Sequence, residues 1–112
     1  MAGYPDVTAV RDWTGTTSMD ISDDQLQLVI DTEVAIQEAY CYWDGDLPEP
    51  LAQALLRRCA RSVAARGVPL GSLPTVSAGL GAEYGLPGAG LLPRYDAEIE
   101  RFEAPWRVAG VA

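Results

Sequence analysis

The chain has 112 residues, of which 48% are apolar, and its formal net charge is −8. This length and composition indicate one globular domain, and no apolar run reaches the ~18 residues that a membrane span needs. His, Lys and Asn are absent, which excludes histidine-based acid–base catalysis, Schiff-base lysines and histidine-containing zinc sites. We therefore expect a protein that is not an enzyme and that uses no metal or cofactor. No signal peptide is visible at the start, so we expect the chain to stay in the cytoplasm where it is made.

The charge is unevenly distributed along the chain. Residues 1–50 carry eleven acids against Arg11 alone, residues 51–70 carry four arginines and no acid, and residues 71–112 carry five acids and three arginines. An acidic chain is poorly suited to binding DNA phosphates. The asymmetry has two interpretations: an ordinary solvated surface, or a polarised subunit whose acidic part meets the basic part of a neighbour.

The first half of the chain predicts two helices. A short helix is expected over about 5–13, with Pro5 in its first turn. A long helix is expected over about 23–43, because Ser22 and Gln25 have the spacing of a capping box.

The long helix is apolar over an unusually wide arc. Its polar residues form only a narrow stripe, made of Asp24, Gln27, Asp31 and Glu38. A helix that is apolar most of the way round is covered on several sides. It is therefore either the central helix of the core or part of a subunit interface, and both interpretations stay open.

A third helix is expected over about 48–66, with Gly67 after its end. The short link before it predicts an antiparallel helical hairpin. We expect the hairpin core to consist of Leu26, Val29, Ile30, Val34, Leu51, Leu55, Cys59 and Val63. Cys41 and Cys59 lie on apolar faces, which favours two buried thiols over a disulfide. The opposite face of the third helix carries Arg57, Arg58 and Arg61. This face is either exposed to solvent or forms a row of intersubunit salt bridges.

The last part of the chain predicts an extended segment, a short helix and a tail. Residues 68–92 are rich in Gly and Pro but also contain large apolar residues, so we expect this segment to lie against its own domain or a partner. A helix is expected over about 93–103, followed by an apolar tail over 104–112. Trp106 in that tail either docks on a partner or folds back on its own helices. The predicted fold is thus mainly α, a small helical bundle built on the hairpin with a long loop and an extended tail.

Three stretches of this sequence resemble head-to-tail connector (adaptor) proteins of long-tailed bacteriophages, especially those from phages of actinobacteria. Residues 21–30 (ISDDQLQLVI) resemble the opening of the second connector helix. Residues 54–63 (ALLRRCARSV), followed by Gly67, resemble the next helix. Residues 92–99 (LPRYDAEI) with 106–108 (WRV) resemble the ending.

The resemblance implies a structural virion protein. Connector subunits form a ring, usually dodecameric, between the capsid portal and the tail. The ring extends the DNA channel, lets genomic DNA pass without specific binding, and carries the stopper or another tail-side neck protein. The location implied is the virion neck, after synthesis in the host cytoplasm and without any membrane contact. Our candidate partner-interface residues are Trp106, Arg107, Val108, Arg57, Arg58, Arg61, Leu80 and Tyr84. Two other interpretations stay open. One is a small acidic binding or inhibitor protein, either a DNA mimic or the partner of a basic protein. The other is a carboxylate-dependent enzyme, which would need clustered acids in a pocket.

Overall fold

A computed structural model describes residues 3–68, 70 and 91–108. These residues form four α-helices and a short 3-10 turn without β-strands, which confirms the predicted mainly α class. Most of the expected extended segment (69 and 71–90) and the end of the tail (109–112) lie outside the described residues. The elements are α1 (Val7–Thr14), α2 (Asp23–Tyr40), α3 (Glu49–Ala65), α4 (Leu91–Glu103) and the 3-10 turn Ala104–Trp106.

Two of the helix starts have side-chain caps. At α1 the Asp6 side chain accepts a hydrogen bond from the Ala9 backbone N–H at 2.9 Å. Pro5 therefore precedes the helix and does not lie in its first turn. At α2 the Ser22 hydroxyl accepts from the Gln25 N–H and the Gln25 side chain accepts from the Ser22 N–H, so the predicted capping box is confirmed.

The ends of the helices differ from prediction by one to three residues. α2 ends at Tyr40 and not at residue 43, because Cys41 is extended (φ −122°, ψ 151°) and pairs with Arg107 in an isolated antiparallel bridge. α3 is one residue shorter than predicted at each end, with Pro48 as its N-cap. Gly67 follows it with φ +82°, a left-handed conformation that favours glycine. α4 begins at Leu91, two residues earlier than predicted.

α3 is the central helix of the described fold. It contacts α1, α2 and α4, and its contact with α4 is the most extensive. Seven of the eight residues expected in the hairpin core are buried, whereas Val34 is half-buried. The largest core cluster combines residues of α1, α2 and α3 with Ile21: Val10, Ile21, Leu26, Val29, Ile30, Leu55, Leu56, Cys59 and Val63.

Both cysteines are free and buried, as predicted. Cys59 has no exposed surface, and burial raises the pKa of its thiol to about 12. Burial also raises the pKa of Cys41. Both side chains therefore remain protonated near neutral pH and pack as small apolar groups.

Candidate functional site

The arginine row of α3 pairs with acids of the same chain. Arg58 is 5% exposed and donates two hydrogen bonds of 2.7 Å to the Glu103 carboxylate. Arg61 lies nearer the surface, with its Nη1 2.6 Å from Oδ1 of Asp96. These contacts join α3 to α4. Acids of α4 thus pair with Arg58 and Arg61, two of the candidate partner-interface residues, and Arg58 is buried within the chain.

Arg57 forms a third link between helices. Its guanidinium lies 5.1 Å from the ring centroid of Trp13 and 4.8 Å from that of Phe102. Its Nε is 3.4 Å from the Glu98 carboxylate. Cation–π contact with two partly buried rings stabilises the packing of α1, α3 and α4 around one side chain.

The C-terminal end of α4 forms a polar junction, composed of the buried residues Glu33, Gln37, Arg58 and Glu103 with exposed Arg107 at its edge. Glu103 is fully buried and receives hydrogen bonds from Arg58, from Gln37 (3.0 Å) and from Arg107 (3.2 Å). Gln37 also donates to the Leu51 carbonyl at 3.0 Å. The polar junction therefore ties α2, α3, α4 and the start of the tail together.

The pKa values of the two carboxylates in the polar junction are shifted in opposite directions. Burial alone would raise the pKa of Glu103, but hydrogen bonds from Arg58 and Gln37 lower that pKa below its ordinary value. Burial raises the pKa of Glu33, and the Arg58 guanidinium, 3.8 Å away, lowers that pKa by less than burial raises it. Glu103 is therefore the stabilised anion of the junction, whereas Glu33 carries an uncompensated desolvation cost.

The beginning of the tail packs on its own chain. Trp106 lies against the buried cluster of Cys41, Leu47 and Leu51. Its carbonyl accepts a 2.9 Å hydrogen bond from the Tyr42 N–H, and the Val108 N–H donates to the Tyr40 carbonyl, also at 2.9 Å. For Trp106 the structure thus shows the fold-back alternative, whereas Arg107 and Val108 remain exposed.

Replacing Trp106 with alanine should lower stability by roughly 2 kcal/mol. This is less than the ~3–5 kcal/mol of a fully buried Trp, because the ring is only half-buried. Thermal unfolding of the isolated subunit measures the change. Val108→Ala is the matched control, since it alters an exposed side chain of the same segment and should change stability by less than about 0.5 kcal/mol. Equal melting temperatures for the Trp106 variant and the parent would contradict the fold-back contact.

An apolar face of α2 is left uncovered by the rest of the described chain. Leu28 is 58% exposed and Tyr40 is 39% exposed, and Ala35 and Ala39 between them are also exposed. This side of the helix forms a shallow open groove of about 680 Å³, lined by Asp31, Thr32, Ala35, Ile36, Ala39 and Tyr40. The wide apolar arc of α2 is therefore only partly used within the core.

The structure also shows buried polar residues that the helical pattern did not predict. Glu33 and Gln37 lie on the buried side of α2, although their polarity argued against a core position. Glu103 is likewise buried because Arg58 and Arg107 pair with it. The spacing of Glu33 and Gln37, three and seven residues after Ile30, was the available signal. Leu80 and Tyr84 of the candidate interface lie outside the described residues.

In the part of the chain that the structure describes, no helix is long and apolar enough to cross a membrane. Nor do these residues contain a group of three or more His, Cys, Asp or Glu side chains that could hold a metal ion. Comparisons of the chain with protein-family models, curated proteins and solved structures find no match.

Proposed function

We propose that this chain is a subunit of the head-to-tail connector ring of a long-tailed bacteriophage. The ring would stand between the capsid portal and the stopper or tail, and would extend the DNA channel. The observation that supports this best is the apolar face of α2 that the described residues 3–68, 70 and 91–108 leave exposed, in a fold organised around α3. A contiguous exposed apolar face marks an interaction site, and a ring covers such a face with the neighbouring subunit.

Electrostatics supports the same proposal. The chain carries a net charge of −8, and besides the acids along α2 it exposes Asp12, Asp20, Asp44 and Asp46, which remain available to line a channel. Acids that line a channel repel phosphates, so DNA slides through without being held. The proposal includes the finer architecture expected from the sequence: an antiparallel hairpin, an extended Gly/Pro-rich segment and a tail at contacts with neighbours. A dodecameric ring in the virion neck is the assembly that the resemblance implies.

A small acidic binding or inhibitor protein is the second candidate function. The observation that favours it is the same exposed acidity of α2, which suits a partner rich in Lys and Arg. It differs from the connector in stoichiometry, since an inhibitor would act as a monomer or dimer and would not need a ring.

Co-expression with the portal protein of the same phage tests the proposal. We expect the chain to co-purify with the portal and to form a symmetric ring beneath it in electron micrographs. Ala35→Asp places a charge in the groove and should prevent the ring from forming. Ala9→Asp is the matched control, because it makes the same change at an exposed position of α1. If the chain does not bind the portal protein and instead forms a stoichiometric complex with a basic protein, the connector proposal is overturned in favour of the inhibitor.

A further inference from the structure

We infer that the outer face of α2 in one copy of the chain packs against the outer face of α4 in a second copy. The outer face of α2 comprises Leu28, Thr32, Ala35 and Ala39, with Asp24, Asp31 and Glu38 along one flank. The outer face of α4 comprises Arg94, Ala97 and Arg101. The inference rests on the proposed assembly into a ring and specifies which two surfaces meet.

The outer face of α2 has the spacing of a helix-packing seam. Leu28, Thr32, Ala35 and Ala39 are separated by four, three and four residues, and all four are exposed. This spacing places them in one stripe along the helix, as in a coiled coil. Threonine and alanine are small, so the backbone of a second helix can approach closely. A second helix can therefore pack closely against this stripe.

The charges beside the stripe indicate what kind of helix fits. Asp24, Asp31 and Glu38 recur every seven residues and are all exposed. At 1.5 Å per residue, successive acids lie about 10.5 Å apart along the axis. α2 contains no Arg or Lys. A second α2 would thus bring no basic side chain to these acids, so the occupant needs positive charges with a matching repeat.

α4 carries the matching repeat. Arg94 and Arg101 are seven residues apart and exposed, with exposed Ala97 between them. Their contacts within the chain are loose. The Arg94 Nε is 3.8 Å from the Glu98 carboxylate, and the Arg101 guanidinium is 5.0 Å from the Phe102 ring centroid.

The acids of α4 leave this face positive. Asp96 is paired with Arg61 and buried Glu103 with Arg58, and Glu98 is 16% exposed and lies 3.4 Å from Arg57. Glu100 is exposed but lies about 100° around the helix from Arg101. Both arginines can therefore meet successive acids of α2 while the alanines of the two faces pack between them. Because the two faces are different, the contact can repeat from copy to copy and close into a ring.

Charge exchange tests the contact. The double variants D31R/E38R and R94E/R101E should each weaken self-association roughly a hundredfold in sedimentation velocity, because like charges would then face each other. An equimolar mixture of the two should associate as strongly as the parent chain, since each altered face then meets its complement. The control D12R/D46R makes the same change in charge as D31R/E38R, at exposed acids elsewhere, and should associate normally. Failure of the mixture to recover, or a parent chain that stays monomeric at every concentration, would overturn the inference.

Disulfide trapping gives a second readout that does not depend on charge. A mixture of Ala35→Cys and Ala97→Cys chains should form a disulfide between copies, whereas neither variant should do so alone. The native cysteines are buried and give little background. A dimer formed by Ala35→Cys alone would instead show that α2 packs on α2.

The two proposals fail in distinguishable ways. A ring on the portal that is unaffected by charge exchange would reject this interface and leave the connector function intact. Charge-dependent self-association without portal binding would support the interface and reject the connector.

Discussion

Replacing Glu103 with alanine should destabilise the folded chain by about 3–5 kcal/mol, because the change leaves the Arg58 guanidinium buried without its carboxylate. Glu103 has no exposed surface and accepts three side-chain partners from different parts of the chain. Chemical denaturation of the purified subunit measures the loss.

Asp96→Ala is the matched control for this prediction. Asp96 is also an acid of α4 paired with an arginine of α3, but its side chain is 56% exposed. An exposed ion pair contributes only about 0–1 kcal/mol. Similar losses for the two variants would show that burial does not decide the strength of these pairs.

Lowering the pH should destabilise the fold, because Glu103 then becomes protonated. The pKa of Glu103 is lowered in the folded state, so its contribution is complete above its ordinary value of 4.5 and is lost as pH falls through the lowered value. The raised pKa of Glu33 acts in the opposite sense, since its contribution becomes less favourable as pH rises above 4.5. Glu103→Gln should therefore flatten the loss of stability below pH 4.5, whereas Glu33→Gln should remove the opposing gain in stability as the pH falls towards 4.5 from above. A Glu103→Gln profile parallel to that of the parent would contradict this assignment.

Leu55→Ala should cost about 2–5 kcal/mol of unfolding free energy. Leu55 is fully buried in the cluster that joins α1, α2 and α3, so its truncation leaves a cavity in the centre of the fold. Leu28→Ala makes the same change on the exposed face of α2 and should cost less than about 0.5 kcal/mol in the dilute, unassembled chain. A loss below about 1 kcal/mol at Leu55 would remove that position from the core.

Local signals in this sequence were sufficient to predict the helices. The capping box at Ser22 and the left-handed Gly67 depend on neighbours within a few residues, and both are found where the sequence places them. The apolar face of α3 was also predictable, because its burial follows the helical period. Such features can be read from a single sequence.

The sequence-based predictions differ from the structure where residues that are distant in the sequence determine the local conformation. α2 ends early because Cys41 pairs with Arg107, which lies 66 positions later, and no local signal marks that end. Glu103 is buried because Arg58 neutralises it from 45 positions away. The fold-back of Trp106 was only one of two open alternatives, since a tail's docking place depends on the tertiary structure. The exposure of Arg94, Arg101 and the outer face of α2 also depends on the tertiary structure, because a helical pattern alone does not show which faces the rest of the fold covers.

The dependence of Arg58 on Glu103 also has a consequence for synthesis on the ribosome. At about 5–20 residues per second, the 45 residues that separate them take roughly 2–9 s to translate. During that interval the side of α3 that α4 later covers has neither its ion pair nor its apolar cover. The nascent chain can form α1, α2 and α3 first, but it can complete their packing only after the last turn of α4 has emerged. This delay is the period in which the growing chain is most open to aggregation or to capture by a chaperone.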